Sequence, residues 1–573
     1  RSVNVWPENP MGHSSAEIKE RFQWTFPIVF SRTEPNVLYA SSQHLWKTTN
    51  GGQSWERISP DLTRHDPKTM GPSGGPITKD QTGVETYATI FSVAPSYHDP
   101  NIIWVGSDDG LVHITRDGGK TWQNITPKDM PEFGRVSLIE ASPHSPGTAY
   151  LAVKRYRLDD RTPYIWRTHD YGKTWTKIVN GIRENDFVHA VREDPKRKGL
   201  LYAGTEHGVY VSFDDGDHWQ SLSLNLPDVA VHDLVVEEKD LVIATHGRSF
   251  YVLDDISPLR QLTPEVASSR AHLFRPSDAV RSVDRGVTVY YYLAQPANEV
   301  TIEFLDANGN SIISFTGKRE ATQVRAAPGQ GGGAGGFGGG AMRVSTDAGL
   351  QRFVWDMRYP GFTEFPGMIL WAARSRGPRA VPGDYSVRLT VDGVVQTQPF
   401  RIVKDPRLTD VSQADLEAQF ELAMRIRDKT SEANEAVILI RDLKAQIDER
   451  IKEANNRDIT RRGEELKAAL SKVEEEIYQV RNRSNQDPLN YPIKLNNKIA
   501  ALLNIVETGD GRPTAQSYAV FEELSQRLAV QLQELERVLG RDLEAFNRRL
   551  RDRNLAPVER KPAEELRRIA AQE

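Results

Sequence analysis

The stretch Thr115-Arg116-Asp117-Gly118-Gly119-Lys120-Thr121-Trp122 is one of four copies of the pattern Ser/Thr-x-Asp/Asn-x-Gly-x-x-Trp. The Asp or Asn can accept backbone N–H bonds inside a tight turn, the Gly can adopt a positive φ, and the Trp can fold back over the turn. Each copy therefore predicts a stapled β-hairpin, and we call these four segments the box turns. They span 48–55, 115–122, 168–175 and 212–219, with Asn50 and Trp55, Asp117 and Trp122, Asp170 and Trp175, and Asp214 and Trp219 as structural residues.

A short apolar segment precedes each box turn, as in Asn101-Ile102-Ile103-Trp104-Val105-Gly106. A fifth segment of this kind, at 241–245, has no box turn after it. Repetition of a hairpin unit in a strand-rich chain predicts a β-propeller built blade by blade. We expect five blades here. Because propellers of this repeat class commonly have more than five, we also expect an incomplete ring whose remaining blades lie upstream of Arg1.

The composition changes twice after the repeats, which predicts a multidomain, mainly β protein with an α-helical tail. Alternating apolar and polar residues at 385–402 indicate half-buried strands of a sandwich of the immunoglobulin or fibronectin type III kind. Helical spacing of Leu, Ala and charged residues near the C-terminus indicates antiparallel helices. The predicted domains are the blades at 1–256, a connector at 257–285, the sandwich at 286–408 with a Gly-rich insertion at 328–341, and the helical tail at 409–573.

Composition narrows the classes of function. The chain has 573 residues, which is too long for one core, and a formal net charge of -5. That charge makes no case for nucleic-acid binding. No run of apolar residues is long enough to span a membrane. The absence of cysteine removes disulfides, thiolate metal sites and cysteine nucleophiles. We expect no cofactor.

The box turns resemble the Asp box of bacterial neuraminidase repeats, which occurs in sialidases, sortilin-type receptors and tandem-propeller xyloglucanases. The order of the domains, with Phe353-Val354-Trp355-Asp356 in the sandwich and Asn490-Tyr491-Pro492 in the tail, resembles the C-terminal half of large bacterial sortilin-like, or glycosyl hydrolase-like, proteins. The resemblance implies a secreted or periplasmic protein. It also implies an upstream propeller or N-terminal fragment as a partner.

The box turns of such a propeller lie at one end of the blades, so ligands are expected at the other end. Aligning the innermost strands places Thr89, Ser137, His189 and His232 at one level. A rim of mixed polar and aromatic groups suits an extended peptide or glycan. We therefore predict a binding or assembly module, with possible oligomerisation through the helical tail. The predicted ligand-face residues are His44, Arg155, Tyr156, His189, His207, His232, His246 and Arg248.

Two alternatives concern the same face. A glycoside hydrolase needs two carboxylates about 5 to 10 Å apart across a cleft, and no motif marks such a pair here. The acids that could serve are Asp108, Asp109, Asp186 and Glu206. Imidazoles from His189, His207, His232 and His246 could also converge on Zn²⁺. Because the sequence contains no short His-x-x-x-His spacing, no metal site is predicted.

Overall fold

The computed structural model describes residues 2–319, 343–562 and 564–567. The Gly-rich insertion predicted at 328–341 lies outside the described residues. The chain divides into two compact units, unit 1 up to Leu262 and unit 2 from Thr263 onwards. This boundary falls inside the predicted connector. The protein is mainly β with a helical C-terminal region, as the sequence predicts.

Unit 1 contains, within residues 2–262, five antiparallel sheets that follow one another along the chain. Each of the first four has four strands paired in chain order, and the fifth has three. The strands are β1 (Ile28–Phe30), β2 (Leu38–Ser41), β3 (Leu45–Thr48), β4 (Glu56–Arg57), β5 (Ile90–Pro95), β6 (Ile103–Ser107), β7 (Val112–Thr115), β8 (Gln123–Asn124), β9 (Arg135–Ala141), β10 (Ala149–Arg155), β11 (Asp160–Thr168), β12 (Thr176–Lys177), β13 (Val188–Glu193), β14 (Leu201–Thr205), β15 (Gly208–Ser212), β16 (Gln220–Ser221), β17 (Val231–Val236), β18 (Leu241–Thr245) and β19 (Phe250–Leu253).

Neighbouring sheets of unit 1 bury apolar side chains against each other. Trp104 of the second sheet shares one cluster with Leu151 of the third, and Tyr202 of the fourth shares another with Ile243 of the fifth. Strands such as β6 and β14 are buried along their whole length, because sheets cover them on both faces. Successive four-stranded sheets packed face to face are the blades of a β-propeller.

The box turns have the predicted hydrogen bonds. Asp117 Oδ1 accepts from the Thr121 backbone N–H at 2.9 Å and from Thr115 Oγ1 at 2.9 Å. Gly119, with φ +97°, donates its N–H to Thr115 Oγ1. The corresponding side chains of Asn50, Asp170 and Asp214 make the same contacts. Each box turn joins the third and fourth strands of its sheet.

The indole of each box turn bonds outside its own hairpin, which the sequence analysis did not predict. Trp122 Nε1 donates to the Ile58 carbonyl at 2.9 Å, just after the last strand of the preceding sheet. Trp175 and Trp219 donate in the same way to Ile125 and Ile178. The indole N–H groups of these three box turns therefore join neighbouring sheets.

The first part of unit 2 is built from two sheets that share one apolar core. Their strand orders are β20-β22-β25 and β21-β27-β26-β23-β24. Tyr385, Val387 and Leu389 of β26 are buried at every second position, as a sheet with one covered face requires. The strands are β20 (Ala271–Leu273), β21 (Ala279–Val280), β22 (Val287–Leu293), β23 (Glu299–Leu305), β24 (Ser311–Lys318), β25 (Gly349–Trp355), β26 (Gly383–Val391) and β27 (Val394–Val403).

The helices of unit 2 pack around a second apolar core. The longest begins with a capping box in which Ser412 and Asp415 bond to each other's backbone N–H. No helix among the described residues is long and apolar enough to cross a membrane. The helices are α1 (Ser257–Gln261), α2 (Pro264–Ser268), α3 (Gln413–Ala454), α4 (Arg457–Ile477), α5 (Leu495–Val506), α6 (Ala515–Arg537) and α7 (Glu544–Arg551), with α1 in unit 1 and a π-helical segment Val538–Leu543 before α7.

A buried arginine connects the sheets and the helices of unit 2. Arg281 is 1% exposed and donates to the Ala380 carbonyl and to Gln419 of α3. It also forms an ion pair with Asp510. A second pair, Arg358 with Glu507, has 2.7 Å between nitrogen and oxygen. These contacts fix the sheets against the helices.

Candidate functional site

A pocket of about 420 Å³ lies at the ends of the sheets opposite the box turns. The segment Tyr156–Leu158, which joins β10 to β11, forms one wall. The box turn of the same sheet begins where β11 ends, at Thr168, so the two features lie at opposite ends of one strand. The lining residues are Thr69, Tyr87, Asp108, Phe133, Arg135, Lys154, Arg155, Tyr156, Arg157 and Leu158.

Cations and aromatic rings dominate this pocket. Arg155 is oriented by the Glu132 carbonyl at 2.9 Å, and Tyr156 stacks on Phe187 with ring centroids 4.8 Å apart. Burial, together with the charges of Arg135 and Arg157, lowers the pKa of Lys154 to about 8. Clustered cations beside aromatic faces provide both hydrogen-bond donors and stacking surfaces.

Asp108 is the carboxylate that lines the pocket, among its described residues. It is 1% exposed and accepts from the Thr89 backbone N–H at 2.8 Å and from Gln23 Nε2 at 2.8 Å. Burial raises its pKa to about 7, and the charge of Asp109 adds to this. Near neutral pH a large fraction of Asp108 is therefore protonated, and it can donate a hydrogen bond or a proton.

Two of the other acids named from the sequence, Asp109 and Asp186, do not line the pocket. Asp109 is buried and accepts from Ser107 Oγ at 2.6 Å and from the Arg64 N–H at 2.8 Å; burial also raises its pKa. Asp186 is fully buried and accepts from the His207 N–H and from Tyr210. These two carboxylates stabilise turns instead of facing the pocket.

A histidine cluster lies beside the pocket. His189 Nε2 is 3.0 Å from Glu206 Oε2, and the rings of His189 and His232 stack with centroids 4.3 Å apart. His246 Nδ1 lies 3.4 Å from His232 Nε2. Lys154 Nζ, on the pocket wall, lies 3.1 Å from His189 Nδ1. Burial lowers the pKa of His189 to about 2, so its imidazole is neutral.

Register explains why these histidines meet. In the first strands of four sheets one residue is skipped in the pairing, which marks a β-bulge: Phe91 in β5, Ser137 in β9, His189 in β13 and His232 in β17. Bulges re-aim side chains and are common next to functional sites. The sequence alignment correctly put Ser137, His189 and His232 at one level. It was wrong for Thr89, because Phe91 occupies the equivalent position and Thr89 instead bonds Asp108.

The remaining predicted ligand-face residues lie apart from the cluster. His44 Nδ1 is 3.0 Å from Glu20, and the half-exposed His207 bonds Asp228 at 2.8 Å. Arg248 is exposed. The sequence analysis missed Arg135 and Lys154, which pair across β9 and β10 at the pocket. Both residues lie at strand ends next to the segment Tyr156–Leu158, and this position could have identified them from the sequence.

The sheets and this site define a β-propeller protein with a basic, aromatic pocket. No family model matches the chain. Among curated proteins, the oligoxyloglucan-reducing end-specific xyloglucanase of Emericella nidulans is 21% identical over 180 residues, which is 31% of this chain and 20% of the relative. A probable xyloglucanase of the same kind from Neosartorya fischeri is 24% identical over 211 residues, 34% of this chain and 23% of the relative. The chain thus spans about a fifth of the length of these curated relatives.

Solved structures are similar to this chain only in fold, and their TM-scores are low. An ancestral GH74 enzyme has a TM-score of 0.30 at 17% identity, with 55% of this chain and 40% of that chain covered. The GH74 xyloglucanase from Xanthomonas campestris has a TM-score of 0.30 at 14% identity, with 46% and 42% covered.

Proposed function

We propose that the pocket opposite the box turns binds a glycan, and that the chain acts as a glycan-binding module. The observation that carries this is the pocket lining, where Tyr87, Phe133 and Tyr156 stand among four cationic side chains. Aromatic faces stack on the apolar faces of sugar rings, while Arg and Lys donate to hydroxyl and carboxylate oxygens. The weak similarity to xyloglucanases favours a glycan over a peptide.

The charge of the lining favours an acidic glycan. Arg135, Lys154, Arg155 and Arg157 surround a single carboxyl, Asp108, that is largely neutral below about pH 7. Such a pocket attracts glycan chains that contain uronates. A neutral xyloglucan fragment would make fewer charge-assisted hydrogen bonds in it.

Calorimetry with defined oligosaccharides tests the proposal. We expect oligogalacturonate to bind, and Arg157→Gln to weaken it roughly tenfold through loss of one charge-assisted bond. Arg161→Gln is the matched control, because Arg161 is exposed on β11 and does not line the pocket. Equal weakening by both variants, or no binding of any glycan while an acidic peptide binds, would contradict the proposal.

A second candidate is glycoside hydrolysis with Asp108 as the general acid. Its pKa of about 7 suits proton donation, and the curated relatives are named xyloglucanases. Hydrolysis also needs a second carboxylate about 5 to 10 Å away, and the described lining contains none. The second acid would have to come from outside this pocket. Release of reducing ends that Asp108→Asn abolishes would raise this candidate above binding.

We also propose that a further sheet of the same design precedes Val3 in the complete protein. Trp55 Nε1 donates to the Val3 carbonyl at 3.0 Å, as the later box-turn indoles donate to Ile58, Ile125 and Ile178. A Cβ on Gly52 would meet the Val3 side chain, just as one on Gly216 would meet Ile178. Val3 thus has the position that follows the last strand of a preceding sheet.

The outer face of the first sheet agrees with this proposal. Ile28 and Phe30 of β1 are 61% and 60% exposed, whereas the equivalent faces between later sheets are buried. Each acceptor follows its box-turn tryptophan by three positions, so we expect a tryptophan immediately before Arg1. Mass-spectrometric sequencing of the native protein measures this directly. A different residue there, without a box pattern ahead of it, would contradict the proposal.

Three finer interpretations stay predictions: a sortilin-like family, an immunoglobulin-like class for the sheets of unit 2, and a secreted or periplasmic location. Oligomerisation through the helices also stays a prediction. A glycan ligand favours the extracytoplasmic location, which fractionation of the source cells would test.

A further inference from the structure

We infer that His189, Glu206 and His232 form a binding site for a divalent transition metal ion such as Zn²⁺. Each residue offers one ligand atom, and the three atoms lie within 4.8 Å of one another. Zn²⁺ bonds of about 2.0 to 2.2 Å place neighbouring ligand atoms roughly 3.3 Å apart, so small side-chain rotations close the site.

The backbone brings these ligands together from three different segments. His189 and His232 occupy the bulge positions of β13 and β17, neighbouring strands of the fourth and fifth sheets. Glu206 lies in the turn between β14 and β15. Since the same bulge carries Phe91 and Ser137 in other sheets, the bulge itself does not require histidine. Two histidines at neighbouring bulges are thus a feature of this site and not of the repeat.

The orientation of His189 directs one nitrogen to the site. Its Nδ1 faces Lys154 Nζ at 3.1 Å, and its Nε2 faces Glu206. The Lys154 contact lies on the side of the ring that faces away from Glu206 and helps to hold the ring in place. His189 is 4% exposed and packs against Phe187, with ring centroids 5.1 Å apart, so the ring has little freedom to turn.

The ligand set selects the class of metal. Two imidazoles and one carboxylate suit Zn²⁺ and neighbouring transition ions, whereas Ca²⁺ and Mg²⁺ prefer oxygen ligands. Three protein ligands leave a coordination position open. His246 is not one of the three ligands, but its Nδ1 lies 3.4 Å from His232 Nε2, at the edge of the site.

The competing explanation is a hydrogen bond from His189 to Glu206 with no metal. Protein treated with chelator and then dialysed, titrated with ZnCl₂ in a calorimeter, separates the two. We expect one equivalent to bind, and Co²⁺ to give the intense visible absorption of a four-coordinate site. Binding should weaken tenfold or more in Glu206→Gln and in the exposed His232→Ala.

His207→Ala is the matched control, because His207 is next to Glu206 in sequence but bonds Asp228. Circular dichroism and thermal melting of each variant establish that it is folded. Absence of stoichiometric binding by the unmodified chain would overturn the inference. So would binding that survives in Glu206→Gln and His232→Ala, or binding that His207→Ala removes.

Discussion

Replacing Asp108 by Asn tests whether this buried carboxyl is protonated in the folded protein. Asp108 is 1% exposed, and its Oδ2 lies near Thr89 Oγ1 at 2.9 Å and Gln23 Nε2 at 2.8 Å. Asn has the shape of the neutral acid but cannot ionise. The new amide has to fit beside the amide of Gln23, which adds a cost that does not depend on pH.

The pKa of Asp108 determines how much the unfolding free energy changes with pH. Burial raises it from 3.8 to about 7, so the folded state binds the proton more tightly than the unfolded state. The resulting stability is fully present below about pH 4 and is lost as the pH rises through about 7. The slope is about 1.4 kcal/mol per pH unit in between. From pH 5 to pH 8 the wild-type protein should lose about 2.5 kcal/mol through this group.

Urea unfolding of both proteins at pH 5 and pH 8 measures the effect. The titration of Asp108 is the main difference between the two proteins, so the difference in unfolding free energy should move by about 2.5 kcal/mol in favour of Asp108→Asn. Asp109→Asn is the control for the neighbouring carboxyl. A difference that is equal at the two pH values would refute the reasoning, because Asp108 would then already be ionised at pH 5. Above pH 7 the affinity for an acidic glycan should fall more in wild type than in Asp108→Asn, because both proteins lose the charge of Lys154 but only wild type gains the charge of Asp108.

Two further predictions concern stability. Trp219→Phe keeps an aromatic ring, although a smaller one, and leaves the buried Ile178 carbonyl without its indole donor, so we expect a loss of about 1–3 kcal/mol in urea unfolding. Trp24→Phe, at a site 72% exposed, should change nothing measurable. Arg281→Ala removes the nearer cation of the Asp510 carboxylate and leaves only Arg379, 3.9 Å away, so it should cost about 3 kcal/mol. The control is Arg270→Ala, since Arg270 is 79% exposed and pairs only distantly with Asp392. Equal losses in the variant and its control would contradict either argument.

The sequence predicts features that depend on neighbouring residues in the chain. The box turns form because Asp117 and Gly119 act within eight residues, and the long helices follow from local apolar spacing. Contacts between sheets join residues that are distant in the sequence, and the sequence does not predict them. Nothing near Trp122 in the sequence indicates the Ile58 carbonyl as its partner, 64 positions earlier. The π-helical segment Val538–Leu543 likewise has no local signal that separates it from the helix predicted there.

The sequence predicted only part of the candidate site, because the site also depends on contacts between residues that are distant in the sequence. Alignment of the innermost strands placed His189 and His232 at one level, and each is the second residue of its strand. Glu206 was named only as an acid, and Lys154 was missed, because a bulge decides which way each strand end points. Asp186 was an attractive acid by sequence, yet it is consumed by bonds to His207 and Tyr210. Hydrogen-bond partners from other strands decide whether a carboxylate is free.

Repetition and bulge together explain why chemistry collects on one side of unit 1. The repeat fixes the backbone of each sheet, and the bulge then presents one variable side chain at the same end of four sheets. Phe91 and Ser137 differ from His189 and His232, so the second and third sheets carry different chemistry from the fourth and fifth on one backbone plan. Lys154 lines the pocket and contacts His189, so the two proposed sites share a wall. A metal bound at His189 and a glycan carboxylate bound beside Lys154 would therefore alter each other's affinity, by the same factor in both directions.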